Sequence, residues 1–310
     1  MRLLAITLLL GLSTQSGCAE LGVVSDGTSI SVGRPGRGGH LIDGVRLPDR
    51  GEGFFTRDVW RTRGNRYGTD ELVDLLTGVA RRMSIRVKQR LVVADLSAHG
   101  GGDVRTWHRS HQSGRDVDLL YYMRDRDGKP MEPDAMHVFD GAGTAKDGSG
   151  IKVDVPRTWL LVRDLLTAPE APVQYVFMYA PIAKLLLDQA RSIGEPEALL
   201  AKANRALRQP GDSARHDDHM HVRVYCSQAD AAYGCVDIGP MDLLAERQTE
   251  LVATGGPLPT LDAGPAAAKP VADPVTPSAP TAQPAIRTDF KTLGRMLRTR
   301  TGGLMLRRWR

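Results

Sequence analysis

Cysteine is scarce in this chain, with three in 310 residues, at Cys18, Cys226 and Cys235. That excludes a structural zinc site built from thiolates, which takes most of its four ligands from cysteine. A membrane-length N-terminal run is also lacking, because the apolar stretch from Leu3 to Leu12 is far shorter than the roughly 20 residues a bilayer span needs. Net positive charge is missing from the body of the chain despite a formal net charge of +5. Residues 287–310 hold eight Lys and Arg against one Asp, so that segment alone is +7 and the remainder is −2. The body is therefore no polyanion binder by charge, and the balance speaks against a nucleic-acid partner.

At 41% apolar and 25% charged residues, the chain has material for a sizeable core and reads as one globular domain with extensions. Arg2, the apolar run and the small residues up to Gly17 form the pattern of an export signal over residues 1–18. Cys18 after Ser16 and Gly17 resembles a bacterial lipoprotein site, although Gln15 stands where that pattern wants an apolar residue. Acylation at Cys18 and simple cleavage both fit. In an oxidising compartment Cys226 and Cys235, nine residues apart, read as a local disulfide.

Residues 22–68 are rich in Gly and Arg and predict extended, loop-rich structure with short strands such as Ser29–Val32. Thr69 is an N-cap for a helix whose apolar residues repeat from Leu72 to Met83. Leu91–Leu96 and Asp116–Tyr122 read as strands, Pro156 opens a helix, and Val173–Tyr179 is strand-like in composition. Pro181 and Pro196 open two more helices, and a strand over His219–Tyr225 places His219, His221 and Arg223 on one face. The expected fold class is α+β, a small and mostly antiparallel sheet with flanking helices. Eight prolines between Gly255 and Ala285 predict an extended linker, and the basic tail 286–310 reads either as an interfacial helix or as a disordered segment.

Five of the eight histidines fall in two short segments, His108 and His111 in one, His216, His219 and His221 in the other, and both segments contain aspartates. Such clustering points to metal chemistry. Gly114 permits a turn that lets a loop histidine, His111, and a strand aspartate, Asp118, converge on one ion. His219 and His221 leave their strand in the same direction, so one can bind metal while the other stays free beside it. Two imidazoles and one carboxylate leave a fourth position open, as in a catalytic zinc site. The same donors make the facial triad of iron oxygenases, but there the first His lies two residues before the carboxylate and here the gap is seven. Asp116, Asp217 and Asp218 are candidates to hold ligand histidines or are solvated acids; Arg115 and Arg223 meet substrate carboxylates or make surface ion pairs.

The stretches Ser110-His111-Gln112-x-Gly114-x-Asp116-Val117-Asp118 and His216-x-x-His219-Met220-His221-Val222-Arg223 resemble the LAS peptidases, named for lysostaphin, D-Ala-D-Ala peptidases and sonic hedgehog. Within them the closer likeness is to the penicillin-insensitive murein endopeptidases, and it extends to Leu41–Val45 and Gly51–Gly53. The resemblance implies a LAS/hedgehog-like zinc peptidase domain over about 28–240, with Zn2+ held by His111, Asp118 and His221 and His108 as an extra ligand. It implies that His219 orients or deprotonates water, or stabilises the oxyanion, with His216 assisting. The implied substrate is peptidoglycan, cut in the periplasm at the bond between D-alanine and meso-diaminopimelate, with the basic tail touching anionic membrane or wall. No glutamate stands in either motif, which disfavours the carboxypeptidase branch. A D,D-carboxypeptidase or amidase on the same scaffold, and a zinc-containing but non-catalytic wall-binding protein, remain the alternatives.

Overall fold

The computed structural model describes residues 29–103, 108–211 and 213–246; the export signal with Cys18, the linker 255–285 and the tail 286–310 fall outside them. The first long helix, Asp70–Val87, starts where Thr69 Oγ1 accepts the Leu72 N–H at 3.3 Å and closes the first turn. Its Leu72, Leu75, Leu76, Val79, Ala80 and Met83 are all buried, as their helical spacing predicts. Asp154 caps the next helix, Val155–Thr167, with Pro156 in its first turn, and Trp159 from that helix is fully buried. Helices Ala180–Ser192 and Glu197–Ala206 follow, opened by Pro181 and Pro196 as expected.

Among the described residues the fold is α+β, built of several small sheets with no barrel. The largest sheet has four strands in the order Leu207–Arg208, Val173–Phe177, Met220–Val224, Asp116–Leu119. The first pair is parallel and the other two are antiparallel. Every residue of Asp116–Leu119 and Met220–Val224 is buried. Before the long helix the chain is loop-rich as predicted: a hairpin of Ile30–Arg34 with Arg37–Ile42, then two-residue ladders, plus a helical turn at Asp58–Arg61 that the sequence pattern did not announce.

The run Leu91–Leu96 is extended but is no single ladder. Leu91–Val92 pairs in parallel with Phe54–Phe55, then Val93 bridges Leu119, Asp95 exchanges backbone contact with Asp118, and Leu96 donates to Asn65. The segment changes partner every residue or two because it threads between the N-terminal loops and the edge of the main sheet. No helix among the described residues is long and apolar enough to cross a membrane.

Cys226 and Cys235 are joined in a disulfide, so the local pairing expected from their spacing is present. Beside it Arg115, fully buried, acts as an internal clamp. Its guanidinium donates to Ser31 Oγ at 3.2 Å, to Val224 O at 3.1 Å, to Val236 O at 3.2 Å and to Asp237 Oδ1 at 2.7 Å. These bonds tie the first strand and the disulfide loop to the segment between His111 and Asp118. Fully buried and with four of its five N–H donors committed, the guanidinium is out of reach of a substrate carboxylate, nor is it a surface ion pair.

Glu71 faces inward from the first turn of the long helix and is 8% exposed. Burial, reinforced by neighbouring Asp70, raises its carboxyl to about 7 from an ordinary 4.5. The folded chain thus keeps a proton that the unfolded chain releases between pH 4.5 and about 7, so this group makes stability fall as pH rises through that window. Glu71→Gln mimics the protonated form and should raise the melting temperature at pH 8 while leaving it unchanged near pH 4.5, a gain of at most roughly 3 kcal/mol. An equal melting temperature for both proteins at pH 8 would show that Glu71 ionises in the fold without cost.

Candidate metal centre

Two neighbouring strands bring the motif residues together. The antiparallel register sets His221 directly opposite Asp118 and Arg223 opposite Asp116, so each pair shares a face of the sheet. His111 arrives from the loop before Asp116, and Gly114 makes the turn between them at φ +80°, where a Cβ would come within 2.6 Å of Leu41. The sequence expectation of a glycine turn joining a loop histidine to a strand aspartate describes this geometry.

Five imidazoles gather around Asp118, and each commits one ring nitrogen to an oxygen outside the cluster. His111 Nδ1–H donates to Leu96 O at 3.0 Å, and His108 Nε2–H donates to Asp95 Oδ2 at 2.9 Å. His221 Nε2–H donates to Asp116 Oδ1 at 2.6 Å, His219 Nδ1–H to Asp218 Oδ1 at 2.6 Å, and His216 Nδ1–H to Ala214 O at 2.8 Å. With one nitrogen of each ring aimed outward, the other faces the cluster and offers a lone pair whenever the ring is neutral, the arrangement that orients metal-binding histidines. His108 Nδ1 stands 3.4 Å from Asp118 Oδ2, and His219 Nε2 stands 3.4 Å from Asp118 Oδ1.

The tightest set is a triangle. His111 Nε2, His221 Nδ1 and Asp118 Oδ1 lie 3.3 Å from one another on all three sides. Ligands about 2.0–2.1 Å from a tetrahedral ion are separated by roughly 3.3–3.4 Å, so the triangle has the dimensions of one face of such a site. Asp118 is fully buried and neither of its carboxylate oxygens has a hydrogen-bond partner in the chain. A second combination, His108, His111 and Asp118, also gathers its donor atoms within reach of one ion, using the other side of the same carboxylate.

Charge in the cluster follows from these contacts. Burial favours neutral Asp118, but the imidazoles of His111 and His219 outweigh it and hold the carboxyl well below its usual range. Burial likewise opposes a charge on His219, and the Asp118 carboxylate overrides it, raising the ring to about 10. His216 goes the other way: burial and the neighbouring His221 and His219 lower it to about 4, so it is neutral. Asp116 is held below the ordinary carboxylate range against the effect of burial by the Arg223 guanidinium and by His221.

Of the three aspartates considered as supports, two touch histidines: Asp116 on His221 and Asp218 on His219. Asp217 instead turns toward Lys146 at 3.6 Å and Arg215 at 3.7 Å. Arg223 is neither exposed nor directed at a substrate; its Nε donates to Asp116 Oδ1 at 2.7 Å, and its guanidinium lies over the Phe177 ring. Motif reading missed Asp95, whose fully buried carboxylate holds both His108 and Arg63 Nη1, the latter at 2.6 Å. Its one signal is an acid inside the apolar run Leu91–Leu96, where nothing else is charged.

The sequence model of a family described as penicillin-insensitive murein endopeptidase matches residues 31–243. A protein of that name from Haemophilus influenzae is 31% identical over 210 residues, 66% of this chain and 65% of its own length. Proteins of the same name from Klebsiella pneumoniae and Escherichia coli O1:K1 are 25% and 26% identical, over 61% of this chain and 64% of theirs. The chain thus spans a little under two thirds of the length of these relatives.

If Asp116 orients His221, removing its charge should loosen any ion in the triangle. Asp116→Asn is expected to lower affinity for added Zn2+ by roughly 10- to 100-fold, measured by competition with a chromogenic chelator. Wild-type affinity in that variant would remove Asp116 from the account of the site.

Proposed function

The chain belongs to the penicillin-insensitive murein endopeptidase family, and from that premise we propose that it is a zinc-dependent peptidoglycan endopeptidase, cutting the cross-link between D-alanine and the side-chain amine of meso-diaminopimelate. The observation that carries the reading is the triangle of His111, Asp118 and His221, whose 3.3 Å sides suit a tetrahedral ion. The orphaned carboxylate oxygens of Asp118 support it, because a buried charge without a partner is costly. The imidazole and carboxylate donors suit zinc. The pairing of Asp118 and His221 across adjacent antiparallel strands is in keeping with a LAS/hedgehog-like core over residues 28–240.

In this reading His111 Nε2, Asp118 Oδ1 and His221 Nδ1 hold the ion, and His108 stands by on Asp118 Oδ2. A zinc ion bound there supplies the Lewis acidity that activates water near neutral pH and polarises a peptide carbonyl. His219 handles the proton. Its Nδ1–H is anchored on Asp218, which leaves Nε2 facing the cluster to take a proton from the attacking water and return it to the leaving amine. Asp118 raises His219 to about 10, and with a cation held beside the ring His219 would fall toward the range where it exchanges protons at neutral pH. His216, neutral and with Nδ1–H tied to Ala214 O, presents Nε2 as an acceptor that orients water or a substrate N–H. No serine or cysteine nucleophile enters, which accounts for indifference to penicillin.

The export pattern at 1–18 supports action in the periplasm, with Cys18 either acylated or removed with the signal. The proline-rich 255–285 then separates the peptidase domain from a basic tail suited to anionic membrane or wall polymer. Muropeptide analysis tests the central claim. Protein lacking residues 1–18, incubated with intact peptidoglycan, should convert cross-linked dimers to monomers, and both a chelator and His221→Ala should abolish that conversion. Trimming of terminal D-alanine with dimers intact would favour a carboxypeptidase, and unchanged muropeptides with zinc bound would favour a binding protein.

A further inference from the structure

His216 has a left-handed backbone, φ +54°, a conformation that residues with a β-carbon hold only when neighbours enforce it. The enforcing contacts can be named. The His216 carbonyl accepts two hydrogen bonds, from the Tyr179 N–H at 3.1 Å and from the Tyr121 hydroxyl at 3.1 Å. One residue on, the Asp217 carbonyl accepts from the Phe139 N–H at 2.8 Å. The turn presents the His216 ring 5.0 Å from that of His219 and 5.5 Å from that of His221.

Tyr121 is the side-chain member of this set. It is fully buried, its ring meets Phe139 edge to face at 5.9 Å, and it lies three residues after Asp118 on the same run of chain. Burial, with the carboxylates of Asp218 and Asp217, pushes its phenol well above the ordinary range, so the hydroxyl remains a donor at every working pH. A phenyl ring would fill the same space. What the hydroxyl adds is one directed bond, aimed at the carbonyl of the residue whose backbone is strained.

We propose that Tyr121 is a positioning residue for the peptidase reaction: its hydroxyl grips the His216 carbonyl and so holds the left-handed turn that sets the His216 ring beside His219. The inference rests on the reading of His216 as part of the catalytic machinery. The same short run of chain therefore supplies a metal-site carboxylate, Asp118, and the grip on the loop that faces it. Loss of the hydroxyl leaves the His216 carbonyl still bonded to the Tyr179 N–H, so Tyr121→Phe strands no buried acceptor there and keeps the fold.

The test is steady-state kinetics of the zinc-loaded protein on purified cross-linked muropeptide dimers, with Tyr121→Phe, His216→Ala and the double variant. Tyr121→Phe is expected to lower kcat about tenfold with KM, bound zinc and melting temperature near wild type. Because Tyr121 acts through His216, the double variant should be no slower than His216→Ala alone. Losses that multiply in the double variant, or a wild-type kcat in Tyr121→Phe, overturn the inference. So does loss of a cooperative melt in Tyr121→Phe, which would make the tyrosine a core residue only. Wild-type kcat in His216→Ala is a different failure: it removes His216 from the reaction and the inference with it.

Discussion

The Asp118 carboxylate is the constraint around which the rest is arranged. It is fully buried, ionised against the pull of burial, and unpartnered by hydrogen bonds at both oxygens. Leaving such a group in a protein interior costs several kcal/mol unless opposite charge is close by. The nitrogens that face it offer lone pairs when their rings are neutral, because the other nitrogen of each ring donates its N–H to Leu96 O, Asp95, Asp116 or Asp218. Acceptors therefore look at acceptors across 3.3–3.4 Å. That opposition is relieved in two ways, by protons or by a cation. Protons respond to the same carboxylates: against the effect of burial, Asp118 with Asp218 raises His219 to about 10, and Asp116 with Asp118 raises His221. Residues His111, Asp118 and His221 would hold an ion only with their donor atoms deprotonated, so its binding would depend on pH.

Meeting this constraint depends on register. His221 faces Asp118 because Met220–Val224 pairs with Asp116–Leu119 at one offset, and a slip of one residue would turn His221 to the opposite face. Several groups away from the triangle hold that offset. Arg115 ties the chain on one side of the ligand strand to the first strand and the disulfide loop. Arg223 closes the Asp116 pair one step along the ladder, and the backbone of Asp95 receives the Asp118 N–H at 2.9 Å. Both arginines were open to a substrate role on sequence grounds. Burial assigns them to holding the scaffold, where losing either would take the guanidinium partner from a carboxylate, Asp237 for Arg115 and Asp116 for Arg223.

How much of this was legible beforehand varies with the range of the signal. Helices with local punctuation were readable: Thr69, Pro156, Pro181 and Pro196 each stand at the start of the helix they announce. The long helix runs to Val87 and not Met83, because the apolar stripe ends before the hydrogen bonding does. The α+β class and the largely antiparallel pairing of the main sheet follow from short strands mixed with helices. Leu91–Leu96 misled in one respect, since its composition predicts a strand but not that it changes partners along its length. In the site, His108, His111, Asp118, His216, His219 and His221 were visible through clustering and spacing, and the structure brings them together. Asp95 and Tyr121 were not visible, because each acts across a tertiary contact with no fixed sequence offset, thirteen residues for Asp95 to His108 and ninety-five for Tyr121 to His216.

Several departures from ordinary folding rules meet in this one region. Asp95, Asp116, Asp118 and Arg115 are all completely buried, and a histidine sits in left-handed backbone. Each would be destabilising in isolation. They persist because the surrounding core, with Trp159, Leu72, Leu75 and Val222 fully enclosed, supplies stability that the site itself does not. The compensation is also directional. Asp116 is paired through one oxygen with Arg223 and Asp95 through one oxygen with Arg63, both from outside the cluster, whereas Asp118 has no hydrogen-bond partner at either oxygen. A scaffold selected for stability alone would neutralise all three acids in the same way. Leaving one of them open toward a ring of imidazole lone pairs keeps a strong local field for a cation, and the strained turn at His216 directs one more acceptor to the edge of that field.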